Sequence, residues 1–311
     1  MNLRARTAAD PTLSPTAIWV YLLVIGATWG TSFGFMRFVV VEGAPPLVIA
    51  ALRGFLTAVV LALWLVATRG RIRLDRANLR HAAVLGITNG LLPNMLNAVA
   101  LGQIASAPAA MLLASTPLFV ALAAHAALAG ERLTRRSVAG LGLGFAGVIL
   151  LIGPAEIVAG RASLSAAMAL LGAAVSYAVS TIYVRRVRLA DPAAVSFGQQ
   201  MVAGASAMVL ALVMEPLGAW ALPGSSWIAL AGLAVVATAL PGVLFFRLAS
   251  VAPAEKSASV SYLIPLAATI YGVVLLGEAV PSNALAGGVV VLLGVWIVNA
   301  TKVPRLEQDR H

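Results

Sequence analysis

The chain has 311 residues, 61% of them apolar and only 10% charged, with a mean hydropathy of +0.96 and a formal charge of +10. Soluble domains carry roughly 25% charged residues, so an ordinary water-soluble protein is excluded, and the positive charge reads as a membrane-orientation signal rather than a call for nucleic acid. The absence of cysteine excludes disulfide scaffolds, thiolate nucleophiles and thiolate-held metal centres.

Apolar runs bounded by charge, Gly or Pro predict spans near 17–37, 46–68, 81–102, 106–129, 136–153, 163–185, 193–214, 226–246, 257–277 and 282–300. Each crossing takes about 20 such residues, so ten of them leave almost nothing for a soluble domain. The first segment reads as a span rather than a cleavable signal, being too long and without a small-residue cleavage site. Connections as short as GQIASAP at 102–108 and GEAVPS at 277–282 require antiparallel neighbours. Of the 21 Lys and Arg, all but Arg37, Arg53 and Arg161 fall in the termini or alternate loops. The clusters Arg69 to Arg80, Arg132 to Arg136 and Arg185 to Arg188 predict cytoplasmic termini for a multi-pass membrane protein.

The chain repeats itself. GERLTRRSVAGLGLGFAGV at 130–148 matches GEAVPSNALAGGVVVLLGV at 277–295 through Gly130 and Gly277, Glu131 and Glu278, Gly140 and Gly287, and Gly147 and Gly294, at a shift of 147. Pro45 pairs with Pro192 at the same shift, while Pro93 with Pro241 and Pro117 with Pro265 pair at 148. Residues 1–155 and 156–311 therefore form two repeats of five spans each, and an odd number forces the second to enter the membrane upside down. The expected fold is all-α, ten transmembrane helices in two five-helix inverted-topology repeats, an arrangement that places a carrier's substrate site near the midplane.

On these features, with Trp29 and Gly30 in the first span and the Gly-Glu pairs at 130–131 and 277–278, the chain resembles the EamA type of the drug/metabolite transporter superfamily. The segments LLPNMLNAVALGQ at 91–103 and SASVSYLIP at 257–265 are most similar to the YddG group of aromatic amino acid exporters. The resemblance implies export of small metabolites across the inner membrane by alternating access. It also implies that the positions around Tyr177 and Tyr262 belong to pocket-lining helices.

Pro93, Pro117, Pro241 and Pro265 sit inside spans, where each frees the carbonyl four residues earlier, those of Asn89, Leu113, Ala237 and Ser261. These four are expected to be structural or gating kinks. Nearby polar residues supply candidate substrate contacts: Asn94 and Asn97, Ser115 and Thr116, Ser259 and Tyr262. Asn94 and Asn97, three apart on one helix face, have Gly242 and Phe245 as repeat mates, which favours a substrate role over a packing role conserved by duplication. Trp29, Tyr177 and Tyr262 lie deep enough to wall a cavity, whereas Trp19, Tyr21, Trp220 and Trp227 fit an interfacial belt.

Arg53 is a cation eight residues into the second span, with polar Gln200 as its repeat mate. The pair suggests a clamp between halves, and a substrate carboxylate could be held by Arg53 or by Lys256. Glu42, Glu215 and Glu278 map to the outer edge and Asp75, Glu131 and Asp191 to the inner one, so no carboxylate marks a proton path, leaving His125 as the coupling candidate. Gly26, Gly30 and Gly34, and Gly140 with Gly144, present small-residue faces for close helix contact.

The expected function is uncoupled export of neutral or aromatic amino acids by a monomer whose partners are a small-molecule substrate and the lipid bilayer, with no cofactor and no metal. A proton-coupled multidrug or other metabolite exporter is the alternative. A membrane-embedded enzyme would need a nucleophile, metal set or acid–base pair, and none is visible. Phosphate-bearing cargo such as nucleotide sugars would call for more cavity cations than Arg53 and Lys256.

Overall fold

The computed structural model describes residues 14–72, 74–128, 131–153, 162–187, 189–251 and 259–300. Ten apolar helices follow one another: α1 Pro15–Val41, α2 Pro46–Arg69, α3 Arg76–Leu101, α4 Ser106–Ala127, α5 Arg135–Ile152, α6 Ala162–Val187, α7 Pro192–Met214, α8 over 224–251, α9 Val260–Leu276 and α10 Ser282–Ala300. Among the described residues there is no strand. Among the described residues, nine helices are long and apolar enough to cross a bilayer, and α9, at 17 residues, is shorter. The observed ends lie within a few residues of those expected, because the same Pro, Gly and Arg residues that bound the apolar runs also cap the helices. Gly70, for example, closes α2 in the left-handed conformation at φ 69°.

The two repeats exchange helices. α1 of the first half packs on α8 and α9 of the second, and α6 of the second packs on α3 and α4 of the first, while α2 meets α7 and α5 meets α10. These principal contacts pair off under one pseudo-two-fold axis, the arrangement of an inverted repeat. Without a hydrophobic drive between helices in lipid, close backbone approach must supply the packing. Gly147 of α5 is so close to α10 that an added Cβ would stand 2.6 Å from the Val291 nitrogen, and one on Gly54 of α2 would stand 2.6 Å from Gly204 Cα of α7. The Gly140 and Gly144 face is consumed within the chain against α10. Gly26 and Gly30 of α1 press on Leu263 and Ala267 of α9, but Gly34, expected to extend that face, makes only an ordinary contact with Leu276.

The outer surface is apolar, with Leu63, Val209, Val213, Ile228, Val274 and Leu275 all exposed. In water such a surface would be an aggregation hazard, and in a bilayer it is the required one. Arginines gather at one end of the bundle, and the loops at 42–45, 102–105, 215–223 and 277–281 occupy the other.

The proline helices are not four copies of one kink. Pro93 and Pro241 each follow a π-helical turn, Gly86–Leu91 in α3 and Val235–Ala239 in α8, where the Leu92 and Leu240 amides bond the carbonyls of Ile87 and Val235. The widened turn absorbs the lost hydrogen bond one step earlier than a simple kink at Asn89 and Ala237 would. Pro117 breaks α4 into Ser106–Leu113 and Thr116–Ala127, while α9 runs through Pro265 without interruption. Equivalent sequence positions have therefore diverged in backbone form.

Candidate functional site

Arg53 of α2 is 8% exposed and reaches across the pseudo-two-fold axis, its Nε donating to Thr238 Oγ1 at 3.2 Å. Thr238 sits in the π turn of α8, and its hydroxyl donates in turn to the Leu233 carbonyl at 2.6 Å. This bond runs from α2 of the first half to α8 of the second. Tyr177 of α6 neighbours Arg53 of α2 and the Asn97 side chain of α3. One polar cluster thus draws on α2, α3, α6 and α8, with Asn94 buried one turn before Asn97.

Three acceptors around this cluster are buried without a hydrogen-bond partner: Thr57 Oγ1, Asn97 Oδ1 and Gln200 Oε1. Thr57 is one turn from Arg53 on α2, and Gln200 comes from α7 beside Gly54, where an added Cβ would stand 3.0 Å from the Gln200 carbonyl oxygen. Such groups are costly in a low-dielectric interior. Thr57, Gln200 and Thr238 were not singled out as contacts from sequence. Gln200 was visible as the polar mate of Arg53, and Thr238 lies three residues before Pro241, the same neighbourhood that drew attention to Asn94.

The other candidates lie elsewhere. Trp29 packs on Phe245 with tilted rings whose centroids are 5.3 Å apart, against an apolar cluster of Leu22, Ile25, Leu248 and Val260. Tyr262 accepts a hydrogen bond from Asn299 of α10 at 3.2 Å and lines a shallow apolar groove with Val289, Leu292, Leu293 and Trp296. The Ser115 and Thr116 hydroxyls donate to the carbonyls of Leu112 and Leu113 at 2.6 and 2.7 Å, so the carbonyl expected to be freed by Pro117 is already served. Ser259 is the N-cap residue of α9. In α3, the Thr88 carbonyl accepts from Ser176 of α6, and the Thr88 hydroxyl accepts from Ser180. Trp220, expected in an interfacial belt, packs on Leu47, Val48 and Ala50 with its indole nitrogen buried. Lys256, Gly130 and Arg161 lie outside the described residues.

The acids at the ends have defined partners. Glu278 accepts from the Ser106 amide at 2.9 Å, capping α4, and stands 3.8 Å from Arg37 of α1, which also donates to the Leu101 carbonyl. Glu42 accepts from the Ser225 and Ser226 hydroxyls at the start of α8. At the arginine-rich end, Glu131 pairs with Arg185 of α6 at 2.5 Å, and Arg186 donates to the Ala127 carbonyl. Arg37 and Arg185 are repeat mates at a shift of 148, as Glu278 and Glu131 are at 147, so the two ion pairs are the same contact at opposite ends. His125 lies exposed beside this end, its Nδ1 facing the Leu133 amide at 3.4 Å. Among the described residues no group of three His, Asp or Glu could hold a metal ion.

The model of the EamA-like transporter family matches the chain twice, over residues 17–153 and 164–300. The uncharacterized transporter YoaV of Bacillus subtilis is 22% identical over 286 residues, covering 89% of this chain and 96% of that one. The probable amino-acid metabolite efflux pump of Salmonella typhimurium is 28% identical over 285 residues, covering 88% of this chain and 92% of the pump. A crystal structure at 21% identity superimposes with a TM-score of 0.64 over 93% of this chain and 99% of that one, a likeness of fold.

Proposed function

The chain belongs to the EamA-like transporter family, and from that premise we propose that it exports neutral or aromatic amino acids across a bacterial inner membrane, as the YddG-like segments at 91–103 and 257–265 imply. Residues 1–155 and 156–311 act as the two repeats, with both termini cytoplasmic and the monomer as the working unit. The polar cluster of Arg53, Asn97, Tyr177 and Thr238, built from both halves, carries the reading: only a site shared between repeats can be exposed to each side in turn as they rock. Asn94 and Asn97 supply amide contacts, and Tyr177 a flat wall with a polar tip.

The cycle follows from the equivalent ion pairs. Arg185 with Glu131 holds the cytoplasmic ends of α6 and the α4–α5 loop together, and Arg37 with Glu278 holds the outer end of α1 to the α9–α10 loop. Opening one while the other closes gives alternating access. No carboxylate lies in the polar cluster among the described residues, and His125 is exposed at one end, which favours transport down a gradient without a coupled proton. A relative named as an amino-acid metabolite pump supports the substrate class.

The test is uptake into proteoliposomes of purified protein, with labelled neutral, aromatic and basic amino acids and one cationic drug, each with and without a pH gradient. Saturable flux of neutral or aromatic amino acids, indifferent to the gradient, is expected. Drug flux without amino acid flux, or a strict need for the gradient, overturns the reading.

A further inference from the structure

Among the described residues, Arg53 is a charge with no carboxylate beside it. Its Nε bonds a neutral hydroxyl, Thr238 Oγ1, and among the described residues no carboxylate pairs with it and no acceptor meets its two terminal nitrogens. A cation that is nine-tenths buried in a membrane protein needs an anion or several strong acceptors, and leaving it unmatched is among the costliest arrangements a fold can hold. The guanidinium presents its remaining donors as a planar fork, the geometry that matches two carboxylate oxygens. Around the same cluster, Thr57 Oγ1, Asn97 Oδ1 and Gln200 Oε1 are acceptors without donors, at 0%, 6% and 8% residue exposure.

The unmatched groups therefore have complementary signs: donors of a cation on α2, and neutral acceptors on α2, α3 and α7. We infer that Arg53 is the carboxylate anchor of the transported molecule and that Asn97 and Gln200 receive its ammonium. The site then selects zwitterions that carry an α-carboxylate and rejects amines and cationic drugs, whose charge would meet Arg53 with nothing to offset it. Thr238 is a positioning residue, fixing the guanidinium through Nε. This role deepens the export reading above and rests on the same site, but it makes a demand on ligand chemistry that the export reading does not. Read from sequence, Arg53 has two open roles, a clamp between halves and one of two candidate carboxylate partners. The hydrogen-bond geometry leaves the guanidinium half used, since the bond to Thr238 occupies one donor of five.

Ligand binding and flux separate the two claims. Thermal stabilisation of the full-length, detergent-purified protein is measured with phenylalanine, phenylalanine amide, phenylacetate and phenethylamine, alongside proteoliposome flux of the same four. Phenylalanine and, more weakly, phenylacetate are expected to stabilise the wild type, the amide and the amine not. Arg53→Gln lowers phenylalanine affinity by about tenfold or more, Arg53→Lys restores part of it, and Thr238→Val weakens it without removing the preference for carboxylate. The comparison of acid with amide in the wild type needs no variant to fold. Equal stabilisation by acid and amide overturns the anchor even where flux is observed, as does full phenylalanine affinity in folded Arg53→Gln or the absence of any stabilisation by the carboxylates. Carboxylate-dependent binding without flux sustains the anchor and overturns export.

Discussion

The same helix crossing occurs twice in this molecule with opposite chemistry. Tyr177 of α6 neighbours the polar Asn97 of α3, and their repeat mates at a shift of 148, Trp29 of α1 and Phe245 of α8, meet as tilted rings with centroids 5.3 Å apart. The pseudo-two-fold axis fixes that α6 touches α3 as α1 touches α8, so geometry is shared and polarity is free to diverge. One copy has become a dry packing contact among Leu22, Ile25 and Leu248, and the other part of a buried polar cluster. What the fold requires is contact at that crossing. What a transporter requires is polarity in only one of the two.

The largest effect is expected where the halves have not diverged, at the α5–α10 crossing. Leu at 147 would drive a side chain into the α10 backbone, 2.6 Å from the Val291 nitrogen and 2.9 Å from the Gly287 carbonyl, neither of which can move aside. Overpacking of this kind costs about 1–3 kcal/mol or more, and Gly147→Leu is expected to yield no monodisperse protein by size-exclusion chromatography. Gly142, on the same helix with nothing within 4 Å, is the control, and Gly142→Leu should behave as wild type. Next comes the direct exchange of the two chemistries. Asn97→Phe, which installs the second half's residue in the first, should reduce amino acid flux about tenfold while leaving the melting temperature unchanged or raised. Phe245→Asn should do the reverse, placing an amide in an apolar cluster at a cost of about 1–3 kcal/mol and lowering the melting temperature first. Equal loss of flux in both would show that the two crossings are not functionally distinct.

The spans, their ends, the arginine asymmetry and the internal repeat were legible because each is a one-dimensional property: run length, charge position, shift. The placement of side chains was less so, because an inverted repeat makes each helix pack on partners from the other half, and facing is decided there. Trp29 and Tyr262 read as cavity aromatics by depth, yet α1 turns Trp29 onto Phe245 and α9 turns Tyr262 towards Asn299. Ser115 and Thr116 looked like ligands beside Pro117, but a broken helix in lipid has carbonyls to satisfy before it can serve a substrate. The π turns before Pro93 and Pro241 carry no residue signature of their own. Arg53 and Asn97 stand out in sequence because polarity inside a span is rare.

The ion pairs at the two ends offer a finer test of equivalence. Arg37 with Glu278 is separated by 3.8 Å, and Arg185 with Glu131 by 2.5 Å, both partly exposed. A pair of this kind is worth at most about 1 kcal/mol, a shift of roughly fivefold in the balance of inward-open and outward-open forms. Arg185→Gln should therefore favour opening at the arginine-rich end and Arg37→Gln at the other. The readout is reactivity of single cysteines introduced near each mouth, made possible by a chain without native cysteine. Shifts in the same direction would break the symmetry.

The smallest effect lies where the second half has gained a contact that the first lacks. Asp191 caps α7, accepting from the Ala194 amide at 3.1 Å and from Arg69 at 2.9 Å, whereas its mate Ala44 precedes α2, which has no side-chain cap. Partial burial opposes ionisation of Asp191, but the Ala194 amide and Arg69 outweigh it and hold the carboxyl below its ordinary value of 3.8. Asp191→Ala, which restores the first half's residue, should cost about 1 kcal/mol, nearly all from the cap since the arginine pair is exposed. A carboxyl with a lowered folded-state pKa contributes in full above its unfolded value and loses that contribution as pH falls through the folded one. The melting difference between wild type and Asp191→Ala should therefore stay constant from pH 8 to pH 5 and shrink only below about pH 4. A difference that changes between pH 8 and pH 6 would mean that a histidine, not Asp191, governs the stability of this end.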